Sequence, residues 1–287
     1  MFDRRVLPAA LFSVLAIALC VAFLAVRTRA HSGFPLEMWS PAIAALLVYT
    51  CVERRSLWTS DVRSRIVGDW RRWWIAWMPL PVLGVSFALT ALLHPETVIS
   101  AASLSKSLHA FPGSLAWKIT ALLCINLVAG PFINTFLVYL GEEIGWRGYL
   151  YPRLYGLYGI PGLLAAGIIW GIWHAPMMAS AGLNYPTLPW WLATLYFTLF
   201  TIPGGIIIFY VYRQTRSIIA AAMSHGVINM SVPTLLFFVH LERLNPVIYG
   251  AGLITILLFW VQALAVLRWG FLRDNNVRSD RSRQAAA

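Results

Sequence analysis

The chain has 287 residues, 59% hydrophobic and 11% charged, with a formal net charge of +11 at pH 7. A soluble domain carries roughly 25% charged residues, so this composition, with a mean hydropathy of +0.70, excludes an ordinary soluble fold. The positive charge does not point to nucleic acid, because the basic residues sort by the ends of apolar stretches.

Eight such stretches follow in chain order: Val6 to Val26, Leu36 to Val52, Trp73 to Leu93, Trp117 to Leu140, Ile160 to Ala179, Pro189 to Tyr212, Ser217 to Val239 and Pro246 to Leu267. Each is near the length that crosses a hydrocarbon core of about 30 Å, which predicts helices rather than barrel strands. The first follows Arg4 and Arg5 and ends near Thr28-Arg29-Ala30, which loosely resembles a cleavage site. It is too long for a signal core, so a retained membrane anchor is expected. After the second stretch, Glu53 to Arg72 mixes tryptophans (Trp58, Trp70 and, just beyond, Trp73, Trp74, Trp77) with six arginines. That mixture suits an interfacial helix against anionic headgroups. His94 to Ala116 is a polar connection, and the basic tail from Arg273 is expected to be disordered.

With the N-terminus in the cytoplasm, 17 of the 22 Lys and Arg fall in inside segments, leaving Arg27, Arg29, Lys106, Lys118 and Arg243 outside. This asymmetry predicts both termini in the cytoplasm, in the plasma (inner) membrane if the source is prokaryotic. Cys20, Cys51 and Cys124 lack metal-site or redox spacing and are expected to pack. The expected architecture is an all-α polytopic membrane helix bundle of about eight transmembrane helices, with its core in the later ones. Its sections are residues 1–125 (first helices and interfacial segment), 126–245 (core) and 246–287 (last helix and tail). Membrane lipids are its expected partners.

Three polar clusters lie within the apolar stretches: Glu142, Glu143 and Arg147; His174; and His225 with Asn229. Glu143 and Arg147 are four apart, as are His225 and Asn229, so each pair shares a helix face. From Arg216, His225 lies about 13 Å into its span, and from Ile160, His174 lies about 21 Å in. If the fourth helix ended at Leu140, Glu142 would stand at the edge and could not meet them. If it continues to Arg153, starting nearer Asn126, Glu142 lies about 16 Å deep, in the same layer. Carboxylates at that depth require a protein-lined cavity.

At these residues the chain resembles the CPBP family, the group of CAAX prenyl and bacteriocin-processing intramembrane proteases. The family pattern is Glu-Glu-x-x-x-Arg, then aromatic-x-x-x-His, then His-x-x-x-Asn. Here it is Glu142-Glu143-Ile-Gly-Trp-Arg147, Trp170-Gly-Ile-Trp-His174 and His225-Gly-Val-Ile-Asn229. The aromatic is commonly Phe. Trp170 is expected to leave the chemistry alone and reshape the pocket.

The resemblance implies an endopeptidase acting on a membrane-bound peptide or protein substrate. Glu142 would be the general base, His174 would help hold the water, and His225 and Asn229 would face the oxyanion, with Glu143 and Arg147 as a supporting pair. Glu142, His174 and His225 also make a ligand set suited to catalytic zinc. The helical His-Glu-x-x-His signature is absent, and the same residues can activate water directly. Two other classes stay open from the sequence: a transporter or proton relay using the intramembrane polar residues, and a non-catalytic immunity or scaffold protein of the same fold.

Overall fold

The computed structural model describes residues 6–31, 33–56, 60–181, 185, 187–240, 243–245, 247–250 and 252–272. The expectations for Arg4, Arg5, Trp58 and the tail from Arg273 lie outside these residues. Nine helical segments organise the described chain: α1 (Leu7–Ala30), α2 (Leu36–Val52), α3 (Ser64–Leu93), the short α4 (Ala101–Ser107), α5 (Leu115–Tyr158), α6 (Ile160–Ser180), α7 (Trp190–Thr215), α8 (Ile218–Leu236) and α9 (Leu253–Phe271). Six of them, α1, α3, α5, α6, α7 and α9, are long and apolar enough to cross a membrane. The chain is thus an all-α, multi-pass membrane bundle.

Of the eight expected stretches, six are matched by these helices. α2 is shorter than the six. α8 carries Ser224, His225 and Ser231, all buried against protein rather than turned to lipid. The last helix begins at Leu253, because Val247, Ile248 and Tyr249 belong to a hydrogen-bonded turn ahead of it. Helix ends that the charge pattern assigns to one side do meet. Asp69 N–H donates to the Thr215 carbonyl at 2.6 Å at one end, while His240 N–H reaches the Thr97 carbonyl at 2.8 Å at the other. At the latter end His94 Nδ1 lies 2.9 Å from Glu96 Oε1, and this hydrogen bond holds the Glu96 carboxyl below its usual range.

Outward faces carry exposed Val14 and Val21 on α1, Ile125, Val128 and Phe132 on α5, and Leu257, Val261 and Leu264 on α9. An apolar surface of this extent needs lipid rather than water. In the segment expected to be interfacial, Trp70 and Trp74 are exposed, and Gly68, at φ +58°, breaks α3 ahead of them. Of the three cysteines, Cys20 is buried while Cys51 and Cys124 are exposed.

Proline inside a helix removes the N–H that would serve the carbonyl four residues earlier, and within lipid no water replaces it. Pro203 in α7 removes the donor for Leu199, whose carbonyl instead accepts from Trp260 Nε1 at 3.0 Å. Around Pro131 the same arrangement recurs, with Trp77 Nε1 donating to the Leu127 carbonyl at 2.7 Å. Trp260→Phe is expected to lower unfolding stability in detergent by about 1–3 kcal/mol. Pro203→Ala in the same chain should recover much of the loss by restoring the N–H. Equal stability of Trp260→Phe and the parent would show that the indole bond does not matter.

α5 runs unbroken from Leu115 through the glutamates to Tyr158. The apolar stretch from Trp117 anticipated its start and the depth argument its continuation past Leu140, whereas the start nearer Asn126 that the depth argument adopted is not matched. Wide π turns at Thr135–Tyr139 and Trp146–Leu150 bracket the α-helical stretch Leu140–Gly145 that bears both glutamates. Such turns shift the side chains that follow onto a new face and recur at functional sites. Two glycines permit the close packing of this region. A Cβ on Gly145 would overlap Pro41 of α2, and one on Gly226 of α8 would lie 3.0 Å from the Pro131 Cα.

Candidate active site

Glu142 and Glu143 leave α5 side by side and are both buried, yet they enter different networks. Glu142 Oε2 accepts two indole N–H groups, from Trp146 Nε1 at 3.3 Å and from Trp170 Nε1 of α6 at 3.0 Å. Among the described residues Oε1 makes no hydrogen bond to protein. Glu143 Oε1 accepts from Arg147 Nη1 at 2.7 Å and lies 2.9 Å from His225 Nδ1 of α8. Adjacent positions on a helix point about 100° apart, so one carboxylate faces α6 while the other faces α8.

Arg147 is fully buried, and among the described residues its Nε and Nη2 have no hydrogen-bond partner. Its guanidinium lies over the rings of Trp170, at 4.4 Å from the centroid, and Tyr151, at 4.6 Å. A desolvated cation over two aromatic faces gains about 2 kcal/mol or more.

His174 sits where α6 kinks ahead of Pro176, with its Nδ1 2.8 Å from the Trp170 carbonyl. A carbonyl only accepts, so Nδ1 carries the proton and Nε2 presents a lone pair. Phe197 and Trp173 wall this ring, with centroids 4.7 and 4.8 Å away. By the same logic the Nδ1 of His225 donates to the Glu143 carboxylate, leaving Nε2 for a ligand. The His225 ring packs between Tyr139, at 4.8 Å, and Trp170, at 5.3 Å. Asn229 is exposed one turn further along α8.

Trp170 therefore joins the three motifs. Its N–H holds Glu142, its carbonyl holds His174, and its ring meets Arg147 and His225. A Phe at this position would have no N–H to give the carboxylate. Each nominated zinc ligand also already engages the protein, Glu142 through Oε2 and the two histidines through Nδ1. Among the described residues no three His, Cys, Asp or Glu side chains are grouped to hold a metal ion.

The N-terminal helices, which carry no motif, close the site. Ser40 Oγ accepts from Trp173 Nε1 at 3.0 Å, Phe12 packs edge-on to Trp146 at 5.4 Å, and Cys20 Sγ lies 3.9 Å from the Trp173 carbonyl. Sequence reasoning missed Glu37, which is buried in α2 and paired with Arg27 of α1. The available signal was an acid opening an apolar stretch in a chain with only 11 acids.

Fold and site together define a polytopic α-helical membrane protein with a buried carboxylate–imidazole cluster assembled from three helices. Residues 124–231 match the family described as type II CAAX prenyl endopeptidase Rce1-like. The chain is also similar to CAAX prenyl protease 2 of Methanococcus maripaludis, with 34% identity over 96 residues, or 31% of this chain and 35% of the relative. It thus spans about a third of the length of that curated relative. No solved structure matches. Over this segment the chain is thus similar to the Rce1-like type II CAAX prenyl endopeptidases.

Proposed function

We propose that the protein is an intramembrane endopeptidase that hydrolyses a peptide bond of a membrane-associated or lipid-anchored peptide. The carrying observation is that two indoles fix Glu142 Oε2 while Oε1 makes no hydrogen bond to protein among the described residues. The name of the relative, a CAAX prenyl protease, supports a prenylated C-terminal peptide as the substrate class. The charge asymmetry supports both termini in the cytoplasm.

In this reading a water lies between Glu142 Oε1 and the lone pair of His174 Nε2. Glu142 takes its proton as the water oxygen bonds to the scissile carbonyl carbon. The resulting oxyanion accepts from protonated His225, through Nε2–H, and from the Asn229 carboxamide. Glu143 behind Nδ1 fixes the orientation of His225. The tetrahedral adduct collapses, the C–N bond breaks, and the proton held by Glu142 passes to the leaving amine. No step is routed through a metal.

Purified protein in nanodiscs is expected to cleave a lipid-anchored peptide library, with the activity lost in His225→Ala. Cleavage that persists in that variant would remove the mechanism, and solute flux without proteolysis would favour a transporter. Chelated protein, shown by inductively coupled plasma analysis to be metal-free, is expected to stay active. Activity that returns only with added zinc would overturn the metal-free chemistry. Trp170→Phe keeps the ring and removes the N–H, so a roughly tenfold loss in kcat/KM is expected with the fold retained. Unchanged kinetics would mean that Trp146 suffices to hold Glu142.

A further inference from the structure

A cavity of about 910 Å³ lies away from the glutamate cluster. It opens at the end of the bundle where α7 stops and α3 begins, and four arginines line it, Arg65, Arg72, Arg213 and Arg216, against one acid, Asp69. We propose that this cavity binds a phosphate group, in the first instance that of an anionic phospholipid headgroup.

The cavity is built rather than incidental. Gly68, in the left-handed region at φ +58°, lets the two chain turns touch, and a Cβ there would overlap the backbone of Thr215 and Arg216. Asp69 N–H donates to the Thr215 carbonyl at 2.6 Å, and Arg72 Nη1 to the Gln214 carbonyl at 3.4 Å. Two of the carbonyls at the α7 C-terminus, which would repel an anion, are thereby covered. Asp69 is itself engaged, with Oδ2 3.3 Å from Arg72 Nε and Oδ1 accepting from the Arg71 N–H. The lining side chains carry a formal charge of +3, from four arginines and one aspartate. The Arg213 guanidinium lies over the rings of Phe271, at 4.5 Å, and Tyr155, at 5.3 Å. That stacking orients its planar fork, the geometry suited to phosphate oxygens.

Position and size indicate the source. Trp70 and Trp74 stand exposed on the adjoining turn of α3, as aromatic side chains do at headgroup level. All four arginines lie on the side that the charge distribution assigns to the cytoplasm, where basic pockets between helices hold lipid phosphates. A cavity of about 910 Å³ also exceeds the needs of a bare phosphate ion and has room for a headgroup with its glycerol.

The test is lipid binding by the full-length protein, followed by native mass spectrometry from detergent, with phosphatidylglycerol, phosphatidylcholine and inorganic phosphate as separate arms. Phosphatidylglycerol is expected to bind in preference to phosphatidylcholine, and the Arg65→Gln/Arg216→Gln variant to lose about 30-fold in that affinity. Arg243→Gln, at the opposite end of the bundle, should bind as the parent does. Millimolar inorganic phosphate that displaces the lipid, and binds in its absence only with both arginines present, would keep the phosphate site and assign it to free phosphate. Equal binding of the two lipids, or undiminished phosphatidylglycerol binding by the double variant, overturns the proposal. The single variant Arg216→Gln, expected to show a smaller loss of the same sign, provides the reading if the double variant does not fold.

Discussion

Glu142→Gln is expected to reduce hydrolysis of a lipid-anchored peptide by roughly 10²–10⁴-fold, the usual contribution of a positioned general base. The substitution is nearly isosteric, and the carboxamide oxygen can accept the same two indole N–H groups, from Trp146 and Trp170, that the carboxylate accepts now. Only the capacity to take a proton is lost, so the effect should appear in kcat, with the unfolding temperature close to that of the parent. Steady-state kinetics in nanodiscs, paired with thermal unfolding in detergent, separate the two. Near-parental turnover would mean that the base is another group, and the assignment of separate tasks to the two glutamates would fall.

Arg147→Met should act on stability first. The guanidinium is fully buried, ion-paired with Glu143 at 2.7 Å and stacked on Trp170 and Tyr151. Removing it leaves Glu143 in a low-dielectric interior with only His225 as partner, a change that costs about 3–5 kcal/mol. The double variant Glu143→Gln/Arg147→Met removes both charges and should recover a large part of that loss, because the penalty arises from the unpaired charge rather than from the missing attraction. A double variant no more stable than Arg147→Met would place the contribution of Arg147 in its ring stacking instead.

The membrane character, the helical class and the three motifs were legible in the sequence, because apolar length and i, i+4 spacing are properties of consecutive residues. The continuation of the fourth helix through Glu142 was legible too, since only that arrangement brought the glutamate to the depth of the histidines. The helix boundaries were less so. Hydropathy, which ended the fourth stretch at Leu140, could not show that its helix runs on to Tyr158, or that α8 is lodged against protein while α1 and α9 present faces to lipid. The roles of Trp146 and Trp170 were hidden because an indole in an apolar stretch reads as hydrophobic, and its single N–H matters only when a carboxylate stands opposite.

The order Glu-Glu-x-x-x-Arg, Trp-x-x-x-His and His-x-x-x-Asn carried the family resemblance and the candidate chemistry by itself, since residue types and their spacing need no coordinates. Only the tertiary structure decided which carboxylate meets which partner. Neighbours on a helix differ by about 100° in direction, so Glu142 turns to the indoles of Trp146 and Trp170 and Glu143 to Arg147 and His225. It also decided that α1 and α2, which carry no motif, wall the site, and that four arginines from separate segments share one cavity. Those contacts join residues far apart in the chain, and their strength depends on distance and burial, which sequence spacing does not encode.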